Sequence, residues 1–185
     1  MSRIEVLTPS RLTPEQRAVY DEILGGPRGA GPGLVDGSGG LIGPFNAMLY
    51  APGVGSALQD LGAAVRYRTA LSGRVREMAV LAVAAALDCE FEWHVHEAIA
   101  RKAGVTDAEI EALRSGAEVP AGDEVERASL DVVRALLARA DLDDAEYDVA
   151  RAGLGEAALV ELSTLVGYYS LLALQLRIFR VTSAP

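Results

Sequence analysis

Cysteine is almost absent from this 185-residue chain: Cys89 stands alone, so no internal disulfide can form. Histidine is nearly as scarce, and both copies, His94 and His96, fall in one short stretch. Basic residues are outnumbered, 17 Lys and Arg against 26 Asp and Glu, for a net charge of -9. A nucleic-acid surface would have to exist against that field, so nucleic acid is excluded as a partner. The opening MSRIEVLTPS has no apolar core of signal-peptide type. The longest uncharged apolar run, residues 78–87, is too short to span a bilayer and is bounded by Glu77 and Asp88. These absences predict a cytoplasmic protein with no membrane partner. Half of the residues are hydrophobic, enough for one globular domain with a full core over residues 1–185.

Alternating strand patterns are also missing, and the periodicity predicts an all-α fold. Thr13, Pro14 and Gln16 form a capping box with proline at the first helical position, predicting a helix over 14–24. Residues 25–40 are too rich in glycine and proline for regular structure and read as a flexible loop. They lack the lysine and spacing of a phosphate-binding loop. A short helix between prolines is expected within 42–52, then a longer one over 53–69, where Val54, Leu58, Leu61 and Val65 recur at helical spacing. Ser72 can cap the next helix, Gly104 can stop the one after it, and Thr106 with Glu109 forms a second capping box for a helix to Ser115. Helices over 123–140 and from Asp143 or Asp144 to Gly153 follow. The last segment, residues 156–181, is apolar on nearly every side and reads as a core helix or an oligomer contact. Glu161 and Gln175 argue against a membrane span there.

Most of the candidate chemistry lies in residues 77–103. On a helix beginning near Cys89, the 3.6-residue period brings Cys89, Glu92 and His96 to within about 60° of one another, while His94 lies roughly 160° from His96. One face thus carries a thiol, a carboxylate and an imidazole. Glu77 would lie about 120° from Cys89 on an unbroken helix, so it joins the cluster only if the chain bends. Asp88, which favours turns, marks the place for that bend.

Several readings of this face stay open. Cys89 is either a small buried hydrophobe or a nucleophile activated by a neighbouring base. Cys89, Glu92 and His96 could supply three zinc ligands, but they match no established motif, so no metal or cofactor is expected. Trp93 and Phe91 read as packing. Upstream, Arg66, Arg68, Arg74 and Arg76 face a single acid; they form a solvated basic face or supply a guanidinium that orients an anionic substrate, with Arg66 and Arg74 as the candidates.

The blocks GPF from Gly43, YAPGV from Tyr50, LGAAVRYRTALSGRVREMAVLAVA from Leu61, EFEWHVHEAIARKAGVTDAEIEAL from Glu90 and GYYSLLAL from Gly167 occur in that order. Together they resemble the carboxymuconolactone decarboxylase family, which includes the alkylhydroperoxidase D-like proteins. The resemblance implies a helical bundle assembled into a homo-trimer or hexamer. In the peroxide-reducing branch a glutamate precedes a Cys-x-x-Cys pair and a histidine follows. Glu77, Cys89 and His96 match those positions, but Glu92 stands where the second cysteine belongs. That departure removes internal disulfide chemistry and leaves only a one-cysteine route. In the decarboxylase branch the cysteine pair is not required. The resemblance to it implies a lyase acting on a small organic acid or lactone, with Glu77, Cys89, Glu92 and His96 at the site. Two alternatives stand beside this one: a one-cysteine peroxidase using Cys89, and a non-catalytic helical oligomer or binding module.

Overall fold

A computed structural model describes residues 2–29, 33–120 and 122–181. Among them all regular structure is helical, with no strand and only an isolated bridge between Val35 and Leu41. It divides into two compact units: the chain through Arg68 together with that from Leu174 onward, and Thr69–Ala173.

The first unit contains α1 (Pro14–Gly25), α2 (Pro44–Leu49) and α3 (Pro52–Tyr67), which pack on one another. The capping box of α1 forms as its sequence predicts: the Thr13 side chain accepts from the Gln16 amide and the Gln16 side chain accepts from the Thr13 amide. Ile23, Leu41 and Leu49 are fully buried. The loop of residues 25–40 is more constrained than its composition suggests. Asp36 Oδ1 accepts from the amides of Ser38 and Gly40, and the Tyr20 hydroxyl donates to the Gly39 carbonyl at 2.8 Å. Residues 30–32 of that loop lie outside the described ones.

The second unit is built around α4 (Gly73–Ala86), which packs against α5 (Glu90–Lys102), α6 (Asp107–Ser115) and α7 (Glu124–Arg139). Buried positions on α4 run almost continuously from Val75 to Ala84, as expected of a helix enclosed by others. Met78, Leu81 and Ala84 share an apolar core with Trp93 and Ala100 of α5 and Ile110 and Leu113 of α6. Trp93 is thus a packing residue, and the exposed Arg114 guanidinium lies 4.7 Å from its ring centre. The Ser72 cap and the Thr106–Glu109 capping box both form, and Gly116 ends α6 in the left-handed region.

The final helix, α8 (Asp144–Ile178), is interrupted at Gly155, whose φ of 79° and ψ of 162° are non-helical. By length and composition alone α8 is apolar enough to cross a membrane. Within the second unit, however, its Glu161 carboxylate accepts from the Ala70 amide, and Leu162, Leu165, Tyr168 and Tyr169 are buried. The backbone at Gly155 occupies a region essentially reserved for glycine. Gly155→Ala is therefore expected to lower unfolding free energy by about 1–3 kcal/mol. A Cβ there would meet no atom within 4 Å, so backbone strain alone would cause the loss. Gly153→Ala, two residues earlier and in ordinary contact with Ala128, serves as the control and is expected to be neutral or mildly stabilising. Urea unfolding of both variants is the check, and equal midpoints would refute the strain argument.

Candidate functional site

The site begins with the break between α4 and α5. Helix α4 ends at Ala86, Asp88 adopts a φ of 51°, and the Cys89 amide donates back to the Ala84 carbonyl at 2.8 Å. Asp88 tolerates this left-handed conformation because its short polar side chain competes with the backbone for hydrogen bonds. The chain reverses there, and α5 packs along α4. Glu77, which an unbroken helix would turn away, thereby meets His96. The sequence expectation of a bend at Asp88 matches the geometry.

His96 is held between two carboxylates. Its Nδ1 lies 2.7 Å from Glu77 Oε2 and its Nε2 lies 3.3 Å from Glu92 Oε2. Glu77, Glu92 and His96 are 0%, 4% and 5% exposed, so the cluster is shielded from solvent. The Tyr169 ring of α8 meets the imidazole edge-on at 5.2 Å between centres, and Tyr168 packs edge-on against Tyr169. Arg76, the residue before Glu77, brings its Nε to 3.6 Å from Glu77 Oε1.

Burial alone would push the His96 pKa down, because an imidazolium loses hydration. The neighbouring carboxylates, Glu77 first and then Glu92, outweigh that effect and hold it above the ordinary histidine value of 6.5. A neutral imidazole has one N–H and one lone pair. With a carboxylate facing each nitrogen, the stable arrangement carries a proton on both sides of the ring. The cluster therefore favours the protonated imidazole and can act as a proton donor.

The other sequence candidates fall in different places. Cys89 is buried at the N-cap of α5, one residue before the helix begins, so the helical-wheel argument holds for Glu92 and His96 but not for the thiol. Among the described residues no group of three His, Cys, Asp or Glu side chains is arranged to hold a metal ion, so Cys89, Glu92 and His96 do not form a ligand set. His94 is exposed, on the opposite side of α5 from His96, as its wheel position requires. Arg74 is occupied structurally: its guanidinium reaches Glu126 at 2.6 Å, Glu109 at 2.7 Å and the Gly104 carbonyl. Arg66, on α3 of the first unit, is half-buried with its guanidinium 5.9 Å from the Tyr67 ring centre.

Two members of the cluster were not singled out by sequence. Arg76 was only one of four basic residues, although its place beside Glu77 was a usable signal. Tyr169 sits in an apolar segment far along the chain and carried none. Two grooves of the second unit, of about 560 and 470 Å³, run beside α7 and are lined mainly by alanine and other apolar residues. Neither includes Glu77, Glu92 or His96.

The protein has the all-helical fold of alkylhydroperoxidase D-like proteins. A peroxidase-related protein from Ralstonia eutropha JMP134 with an alkylhydroperoxidase AhpD core superimposes with a TM-score of 0.75 at 18% identity, over 99% of this chain and 92% of that one. A protein of unknown function from Agrobacterium tumefaciens, described in terms of AhpD antioxidant defence, gives 0.67 at 21% identity over 77% and 99%. The debrominase Bmp8 gives 0.70 at 17% identity over 97% and 90%, and a cysteine-to-alanine variant of it is known in complex with 2,3,4-tribromopyrrole. At these identities the likeness establishes the fold alone. No curated protein matches the sequence. Residues 52–135 match the carboxymuconolactone decarboxylase family. The matched segment contains Glu77, Cys89, Glu92 and His96.

Proposed function

We propose that the protein is a carboxymuconolactone decarboxylase-like lyase that acts on a small organic acid or lactone by acid–base chemistry at His96. The observation that supports this reading most directly is the buried imidazole between Glu77 and Glu92. Loss of carbon dioxide leaves the bonding electron pair on the adjacent carbon as an enolate-like carbanion. A protonated His96 delivers a proton to that carbon, and a proton from solution, relayed by Glu92, restores it. The hydrogen bonds from Nδ1 and Nε2 to Glu77 and Glu92 raise the His96 pKa and favour the protonated form that the step requires. A guanidinium is needed to hold the substrate carboxylate, and Arg74 is already committed to Glu109 and Glu126. In this reading the protein is a cytoplasmic homo-trimer or hexamer with a small-molecule substrate. The exposed Val149, Val160 and Leu171 of α8 are suited to a subunit contact.

One observation favours the one-cysteine peroxidase alternative: a thiol at a helix N-terminus gains thiolate character from the helix dipole. Glu90 and Glu92 in the same first turn oppose it with negative charge. The test pairs carbon dioxide release from a panel of small unsaturated acids and lactones with peroxide consumption under a dithiol reductant, for wild type and Cys89→Ser. Decarboxylation that survives Cys89→Ser is the expected result. Peroxide turnover that vanishes in Cys89→Ser, with a sulfenic acid trapped at residue 89, would overturn it. Inactivity in both assays would leave the family scaffold as a binding module.

A further inference from the structure

The two carboxylates that flank His96 are alike in burial but differ in their surroundings. Glu77 has a guanidinium beside it, with Arg76 Nε 3.6 Å from Oε1. Glu92 has, among the described residues, no ion-pair partner except His96. Arg76 Nε is buried and makes no hydrogen bond, so its proximity to Glu77 acts through charge. The charged and titratable groups around the imidazole include Glu77 and Arg76 from α4, Glu92 from its own helix, and Tyr169 from α8, with Tyr168 behind it.

We propose that Arg76 is a positioning residue that keeps Glu77 ionised, so that Glu77 orients His96 through Nδ1–H and the exchangeable proton resides between His96 Nε2 and Glu92. The physical reason is Coulombic. A positive charge within about 4 Å of one carboxylate favours negative charge there, in a region where little water screens the interaction. Glu77 then accepts the Nδ1 proton without taking it, which locks one tautomer and leaves Nε2 as the nitrogen that gains and loses a proton. Glu92, facing Nε2, is the group that passes the proton on. This inference gives the cluster a direction: Arg76 and Glu77 form its fixed end, Nε2 and Glu92 its working end. It rests on the acid–base reading only for the use made of the proton; the polarity of the cluster is a property of the unliganded protein.

The experiment is ¹⁵N–¹H NMR of the imidazole nitrogens in the full chain, with His94→Gln used to assign the His96 signals. Wild type is expected to show a persistent Nδ1–H and titration confined to Nε2. In Arg76→Gln the single tautomer is expected to give way to a mixture. The last proton of the cluster should leave at a pH about one unit higher, because a nearby cation has been removed. Arg76→Lys, which keeps the charge, should retain the wild-type pattern. Glu92→Gln supplies a second arm if Arg76→Gln does not fold: it should move the Nε2 titration and leave Nδ1–H in place. A wild-type tautomer and titration in Arg76→Gln, or an unmoved Nε2 titration in Glu92→Gln, would overturn the proposal. These spectra need no substrate, so an absence of decarboxylation would count against the proposed reaction and not against this polarity.

Discussion

His96→Gln and Glu77→Gln are each expected to reduce kcat on any substrate that the wild type decarboxylates, by about 10²–10⁴-fold, the range that a positioned acid–base group contributes. The two substitutions act differently. Glutamine at residue 96 removes the proton donor itself. Glutamine at residue 77 leaves the imidazole in place but removes the carboxylate whose hydrogen bond is the largest of the causes that raise its pKa. The pH profile separates them. In wild type the acid form of His96 is expected to persist above the ordinary value of 6.5, with activity falling as pH rises through its raised pKa. Glu77→Gln should move that falling limb to lower pH, whereas His96→Gln should abolish it. Full turnover in both variants would remove His96 and Glu77 from the mechanism. The same shift has a consequence for stability. A histidine whose pKa is raised on folding contributes stability that is fully present below 6.5 and is lost as pH climbs through the folded value.

The second large effect is expected at Arg74, away from the cluster. Its guanidinium joins three helices: Nε donates to Glu126 Oε1 at 2.6 Å, and Nη2 donates to Glu109 Oε1 at 2.7 Å and Glu126 Oε2 at 3.1 Å. Glu109 and Glu126 are buried, and each has local duties as well. Glu109 closes the capping box of α6, and Glu126 Oε2 accepts from the Gly122 amide. Arg74→Met would leave two buried carboxylates without their shared cation. Breaking a buried pair costs about 3–5 kcal/mol; because the Arg74 side chain is 26% exposed, the expected loss is nearer the lower figure. Urea unfolding at pH 7 is the measurement, and a loss under about 1 kcal/mol would mean that solvent screens the network, as at exposed ion pairs.

Acid should act on the same network in the opposite sense to its effect on His96. For Glu109, burial raises the pKa but hydrogen bonds from Arg74 and Thr106 outweigh it; for Glu126 the Arg74 hydrogen bond is the leading cause. Both end below the ordinary glutamate value of 4.5. Carboxylates of lowered pKa contribute stability that is present above 4.5 and is lost as pH falls through their folded values. The wild type should lose stability over that acid range, and Arg74→Met should lose less of it there, having forfeited the interaction already.

These two clusters differ in how far the sequence foretells them. Thr13 with Gln16, Ser72, and Thr106 with Glu109 are capping signals acting over three residues, and all three form because their hydrogen bonds are closed within one turn. Glu92 and His96 share a face for the same local reason. The bend at Asp88 was likewise legible, since an aspartate there interrupts two otherwise helical stretches. Arg74 was different. The sequence offered it as an anchor for substrate, yet its partners lie 35 and 52 residues away, and only packing of α4 against α6 and α7 brings them into reach.

By itself, then, the sequence determined the helical class and most helix boundaries, and it offered a family resemblance and four candidate site residues. These depend on periodicity, on caps and on blocks of residues whose effects are local. Tertiary structure decided which of those residues meet. It joined Glu77 to His96, set Tyr169 against the imidazole, placed Cys89 at a helix cap, and committed Arg74 to two glutamates. The physical reason is that hydrogen bonds and charge interactions act over a few ångströms in space, and the distance between residues far apart in the chain is fixed only when the helices pack.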